Sequence, residues 1–183
     1  MSDRASALRA DFKPGVYGDL SQGTGVTLTE TFHDFVAEIA AFDSHIDDVA
    51  KLIRRAEARI EGSIAFQIAA NRLLTAGPSK FRAALENGID GRQGSFIDLS
   101  HGRSCFGVQG PKAEWVLSKL FAVDFRERAF LQKSGLTTMH HDTFAQIYRS
   151  CADSFEIFVF RSFARSFWHT LRRAAEETGY EVV

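Results

Sequence analysis

Cysteine is scarce in this chain. Cys105 and Cys151 are the only two, too few and too far apart for a disulfide framework or a cysteine-based zinc site, and both are expected to be reduced. Polar aromatics are scarce as well: three Tyr and two Trp stand against 17 Phe. Phe buries area but carries no polar handle, so this bias suits a core or an apolar partner surface and disfavours a base-stacking platform. No excess of charge of either sign exists, with 22 Lys+Arg against 23 Asp+Glu and a net charge of −1. Nucleic acid and anionic membrane surfaces, which demand a net positive face, are therefore not expected as main partners. No uninterrupted apolar run approaches the roughly 18 residues of a membrane span, and the opening residues lack a signal-peptide apolar region. The expected compartment is the cytoplasm.

What is present fits a folded domain. The chain has 183 residues, 45 % of them hydrophobic, and a chain of this size can bury roughly 70 % of its unfolded surface. Residues 1–24, with Pro14, Gly15, Gly18 and Gly23 and little periodicity, read as a loose N-terminal arm; residues 25–183 read as one α+β domain. Within it, 26–42 reads as one long or two shorter strands. Asp43 or Ser44 is expected to cap a helix whose stripe is Ile46, Val49, Ala50, Ile53, Ala56 and Ile60. Residues 63–75 read as a strand or hairpin. Gly77-Pro78-Ser79 opens a short helix with Phe81, Ala84 and Leu85 inward and Gly88 just past its end. Extended segments at 96–99 and 104–108 flank a turn at 100–103, and Gly110-Pro111 starts a third helix with Pro111 at its first position. Strands at 136–140, 144–149 and 154–160 follow; Phe on both faces of the last marks it as central. Ser162 is expected to cap the final helix, with stripe Ala164, Phe167, Trp168, Leu171, Ala174 and Ala175, closing at Gly179. This order predicts mostly antiparallel sheet with packed helices. The echo between Ala76–Leu85 and Gln109–Leu117, each turning through Gly-Pro into a helix, suggests two related βαββαβ-like, ferredoxin-like halves.

Few residues converge on chemistry. Asp98-Leu-Ser-His-Gly-Arg103 puts an acid, a hydroxyl, an imidazole and a guanidinium at a strand end, formally an orienter, a nucleophile and a base in Asp98, Ser100 and His101. Sequence neighbours in a turn seldom point at one reacting atom, and Asp or Ser there commonly bonds the local backbone. His140 and His141 would project to opposite faces of a strand, so one ion cannot easily take both; His33, His45 and His169 are isolated. No Rossmann fingerprint or P-loop occurs. Arg161 and Arg165 sit at the start of the last helix, where the helix dipole disfavours a cation, which suggests that they meet an anion or a carboxylate. No catalytic, cofactor-binding or metal residue is assigned; Asp98, His101, Arg103, Arg161 and Arg165 are the candidate interface or motif residues.

Two blocks carry a resemblance. Asp98-Leu-Ser-His-Gly-Arg-Ser104, followed by Gly107-Val-Gln-Gly-Pro-Lys-Ala-Glu-Trp-Val-Leu-Ser-Lys-Leu120, resembles the D-L-S-H-x-R…V-x-G-P-x-A-x-x-L-L block of the gamma subunit of heterotetrameric sarcosine oxidase. Phe155-Glu-Ile-Phe-Val-Phe-Arg-Ser-Phe-Ala-Arg-Ser-Phe-Trp168 is similar to that family's closing block, where a strand runs into the last helix. The first block is also similar to the folate-binding fold of the aminomethyltransferases. The resemblance implies a noncatalytic assembly subunit, without a cofactor of its own, of a flavoenzyme that oxidatively demethylates sarcosine or a related N-methyl amino acid. Its alpha, beta and delta subunits would be the partners and would carry FAD, FMN, NAD, zinc and tetrahydrofolate. The alternative is a small tetrahydrofolate-binding, aminomethyltransferase-like protein acting alone, for which Asp98 and Glu114 are the carboxylates to consider.

Overall fold

A computed structural model describes residues 5–183. In chain order its elements are β1 (Gly15–Tyr17), β2 (Val26–Thr31), β3 (Phe35–Ala41), α1 (Ile46–Glu57), β4 (Ile64–Ala69), β5 (Arg72–Gly77), α2 (Ser79–Gly88), β6 (Gly94–Asp98), β7 (Arg103–Gln109), α3 (Ala113–Leu120), β8 (Ser134–His140), β9 (Thr143–Cys151), β10 (Ser154–Phe160), α4 (Ala164–Ala175) and β11 (Tyr180–Val182). They build a mixed α+β fold with two largely antiparallel sheets. Contacts gather these elements into two units, one holding the described residues up to Phe32 with Gly102–Val183, the other the continuous stretch His33–His101. The sequence reads as one domain over 25–183. The division falls inside 26–42, where the second of the two readings holds: Val26–Thr31 and Phe35–Ala41 are two shorter strands, and they enter different sheets.

The continuous unit runs β3-α1-β4-β5-α2-β6 and orders its sheet β4-β5-β3-β6, every neighbour antiparallel. This is the ferredoxin-like half that was expected. Period-two alternation on β3 sends Phe35, Ala37 and Ile39 to one face, where Val49 and Ile53 of α1 and Phe81 and Leu85 of α2 cover them. The N-terminus of α2 is held from a distance: the Asp34 carboxylate accepts from the Ser79 amide at 2.8 Å and its hydroxyl at 2.9 Å. A carboxylate there satisfies an orphan amide and complements the helix dipole.

The other unit orders its sheet β1-β11-β2-β7-β10-β9-β8, with β11 and β2 parallel and the remaining pairs antiparallel. Strand β10 is central, as its phenylalanines predict. Phe155, Ile157 and Val159 join Phe106 and Val108 of β7 and the stripes of α3 and α4 in one core. All six expected α4 stripe residues are buried, and the Phe106 ring lies 5.5 Å from Trp168 and 5.9 Å from Phe167. On the opposite face of β10, Phe158 is buried but Phe160 is exposed.

Several local expectations are corrected. A 3₁₀ turn over Asp43–His45 leads into α1, whose N-cap is His45. Another over Arg161–Phe163 leads into α4, whose N-cap is Phe163. Neither N-cap makes a side-chain hydrogen bond, because tightened i→i+3 turns can take the place of such a bond at a helix start. Pro111 precedes the N-cap Lys112 of α3 instead of occupying the first helical position, and Gly88 is the last residue of α2. The described part of the expected loose arm, 5–24, is fastened: β1 pairs with β11, Leu8 is buried, and Glu30 accepts from the Ala7 amide at 2.9 Å. Residues 1–4 of that arm lie outside the described residues.

The Gly-Pro echo is local, not a structural repeat. Gly77 precedes the second helix of its unit, whereas Gly110 precedes the first helix of the other. What the two glycines share is backbone need. Their φ values are +146° and +132°, and an added Cβ would come within 2.8 Å of the Gly62 carbonyl at Gly77 and within 2.6 Å of the Gly25 carbonyl at Gly110. We expect Gly77→Ala and Gly110→Ala each to destabilise by about 1–3 kcal/mol, while Gly91→Ala, which meets nothing within 4 Å, stays within about 0.5 kcal/mol. Denaturant midpoints of the three variants check this.

Candidate functional site

The Asp98–Arg103 turn acts on the chain's own backbone. Asp98 Oδ1 accepts from the Ser100 amide at 2.8 Å, and its Oδ2 accepts from Arg82 Nη1 at 2.8 Å. Ser100 is buried, with its Oγ 3.0 Å from the Val36 amide that donates to it and 3.4 Å from the Val36 carbonyl. A hydroxyl engaged on both sides in this way ties the turn to β3 and is poorly placed as a nucleophile. Burial pushes the Asp98 carboxyl up, but the Ser100 hydroxyl and amide together with Arg82 outweigh it and hold the group below the ordinary value of 3.8. His101 is exposed. The structure therefore does not assemble Asp98, Ser100 and His101 as orienter, nucleophile and base.

Arg103, Arg161 and Arg165 belong to the other unit. Arg103 is buried, with its guanidinium 3.8 Å from the centre of the Phe160 ring, a cation–π geometry that shields part of an otherwise exposed aromatic. Arg161 Nη2 donates to the Ala5 carbonyl at 2.8 Å. The carboxylate expected near the start of α4 is found in the chain itself: Arg165 Nε donates to Asp11. The Arg165 bond, with its charge, holds the Asp11 carboxyl below its usual range. Trp168 Nε1 also donates to the Asp11 carbonyl at 3.3 Å. The two arginines thus fasten residues 5–11 to α4.

His140 and His141 do not project apart as neighbours on a strand would: β8 ends at His140, His141 lies in the following turn, and the two ring centroids stand 4.4 Å apart. His140 Nδ1 lies 2.7 Å from the Leu120 carbonyl, to which it donates. His141 takes φ +50° in the two-residue turn between β8 and β9. His169 is exposed, 3.9 Å from Asp11.

The most heavily bonded polar group was not singled out from sequence. Arg149 on β9 is buried to 1 % exposure. Its guanidinium donates to the carbonyls of Phe125 (2.6 Å), Phe130 (3.1 Å) and Cys151 (3.3 Å), to the Ala152 carbonyl, and to Glu114 Oε1 on α3 at 2.7 Å. The Phe155 ring lies 5.0 Å beneath it. Glu114, one of the two carboxylates considered for a pterin, is thereby committed to an arginine, as is Asp98. These carboxylates do not fit a folate site. The signal for Arg149 in the sequence is only a cation at a core-facing position of a strand, beside Ala145 and Ile147.

A recess of about 350 Å³ in the same unit is lined by Asp19, Ser21, Lys112, Trp115, Glu177 and Thr178, among others. At its margin Lys119 lies over the Trp115 ring at 3.6 Å and pairs with Glu177 at 2.9 Å. The recess offers polar contacts but gathers no nucleophile–base pair.

No family model matches the chain, and no curated protein matches it in sequence. Solved structures do. The chain superposes on a chain of the heterotetrameric sarcosine oxidase from Corynebacterium sp. U-96, solved in complex with pyrrole 2-carboxylate, with TM-score 0.77 and 21 % identity over 96 % of both chains. It superposes on the glycine cleavage system aminomethyltransferase T from Bartonella henselae with TM-score 0.63 and 17 % identity, covering 96 % of this chain and 57 % of that one. The α+β fold is therefore the one these two proteins share. Among the described residues no helix is long and apolar enough to cross a membrane.

Two outcomes are expected. Arg149→Met should cost roughly 3–5 kcal/mol, since it strips buried carbonyls of their donor and leaves Glu114 unpaired; Glu114→Gln, which leaves the carbonyl bonds in place, should cost about 1 kcal/mol. Thermal and denaturant unfolding measure both. A depressed carboxyl adds stability above its unfolded pKa and loses it as pH falls through the folded value. The contribution of Asp98 is thus full well above 3.8 and falls away as pH drops from there through the lower folded value. Asp98→Asn should be less stable than the parent at pH 7 and closer to it at pH 3, compared by denaturant midpoints.

Proposed function

We propose that this chain is the gamma-type assembly subunit of a heterotetrameric, sarcosine oxidase-like flavoenzyme of the cytoplasm, one that oxidatively demethylates sarcosine or a related N-methyl amino acid. The chain performs no chemistry itself. Its partners are subunits of the alpha, beta and delta type, which carry FAD, FMN, NAD, zinc and tetrahydrofolate.

One observation carries this reading: the fold matches a chain of a heterotetrameric sarcosine oxidase along 96 % of that chain's own length, against 57 % of the aminomethyltransferase. The use made of the motif residues supports it. Asp98, Ser100, Arg161 and Arg165 spend their polar atoms on backbone and carboxylates of the same chain, the economy of a scaffold whose contribution is shape and packing area. Exposed apolar side chains such as Trp115, Leu131 and Met139 are available for burial against other subunits.

Purification of the tagged chain from its native cell tests the proposal. A large flavin-bearing chain should accompany it, and the chain alone should be colourless, turn over no sarcosine and give no calorimetric signal with tetrahydrofolate. A flavin spectrum or sarcosine turnover from the isolated chain overturns the reading. Saturable tetrahydrofolate binding by the isolated chain favours the aminomethyltransferase-like alternative instead.

A further inference from the structure

Helix α1 and the turn after it present an unusual charge arrangement. Lys51, Arg55 and Arg59 follow one another at four-residue spacing, all three are exposed, and none has an ion-pair partner among the described residues. Like charges at i,i+4 repel, so the ridge carries a small cost at its Arg55 and Arg59 end, while Asp47 and Asp48 stand four and three residues before Lys51. Lys51 and Arg55 stand about 6 Å apart along the helix axis, one turn.

The ridge borders a trough of about 600 Å³, whose floor is Leu52, Ala56 and Ile60 with Ala84 from α2; Asp48 marks one end. All four floor residues are only partly buried. At one point α1 and α2 pack tightly: a Cβ on Gly88 would come within 2.7 Å of Leu52 Cδ1. Past that contact the helices leave apolar surface open beside a row of cations.

The geometry points to a docking groove for an acidic amphipathic helix of a partner chain. Such a helix lays its apolar face in the trough and sets carboxylates at four-residue spacing against Lys51, Arg55 and Arg59, the helix-in-groove mode of recognition. Charge complementarity selects this occupant: the whole chain carries a net charge of −1, while three of the four charged groups lining the trough, Lys51, Arg55 and Arg59 against Asp48, are cations. A small anion is a poor match, because it would need buried donors and finds an apolar floor. The inference rests on the assembly reading and names the surface that serves it.

Three variants of the full chain are purified from the native cell and the co-purifying flavin-bearing chain is quantified. Lys51→Glu/Arg55→Glu/Arg59→Glu reverses the rim; Ala84→Trp fills the trough and keeps the cations; Lys13→Glu/Arg128→Glu/Lys133→Glu reverses exposed charges elsewhere. Circular dichroism confirms that each is folded. At least a tenfold loss of the flavin-bearing chain is expected with the first two, and less than a twofold change with the third. A photo-crosslinking residue at Ala56 should map to a partner segment with Asp or Glu at four-residue spacing. Undiminished recovery with both groove variants, or a crosslink to a segment without such acids, overturns the groove and leaves the assembly reading standing. Should the unmodified chain bring down no flavin-bearing partner, both fall.

Discussion

The bonds made by one guanidinium hold together the longest stretch of the described residues that has no helix or strand. Between α3 and β8 the chain runs through residues 121–133 without a helix or strand, yet Phe121, Phe125 and Phe130 are buried. A buried loop brings carbonyls that water cannot reach, and each needs a donor. Arg149 donates to those of Phe125 and Phe130, to Cys151 and Ala152 at the turn into β10, and to Glu114 on α3. A planar, permanently charged fork with five N–H groups can serve so many acceptors at once, which lysine cannot. The aromatic side chains supply the burial that drives the loop inward, and Arg149 makes that burial tolerable for the backbone.

The same division of labour recurs elsewhere. Asp98 organises its own turn, Ser100 bridges to β3, and Arg161 and Arg165 anchor the N-terminal segment. Residues whose chemistry would suit catalysis are engaged in closing loops and termini. At these positions polar chemistry serves rigidity.

Much of the architecture was legible where the signal is periodic and local. The α4 stripe, the alternation of Phe155, Ile157 and Val159 and the apolar face of α1 need only side-chain spacing to place a core. The starts of α1 and α4 were not legible, because Ser at a helix start reads as a cap and nothing local announces a 3₁₀ turn in its place. The tethering of residues 5–17 depends on Glu30, Arg165 and β11, partners far away in sequence, as does the capping of α2 by Asp34. Glu114 read as a free carboxylate for the same reason: its arginine is thirty-five residues on. What the motif residues bond to is likewise a tertiary fact.

The interrupted course of the larger unit bears on how the protein is born. Strand β2 leaves the ribosome before its neighbours β7 and β11, both of which are made only after the whole of His33–His101. The ferredoxin-like unit has all its strands in one continuous stretch and can close first. Until then β2 is an unpaired edge carrying Val26 and Leu28, a segment that a nascent-chain chaperone or a misplaced strand can engage.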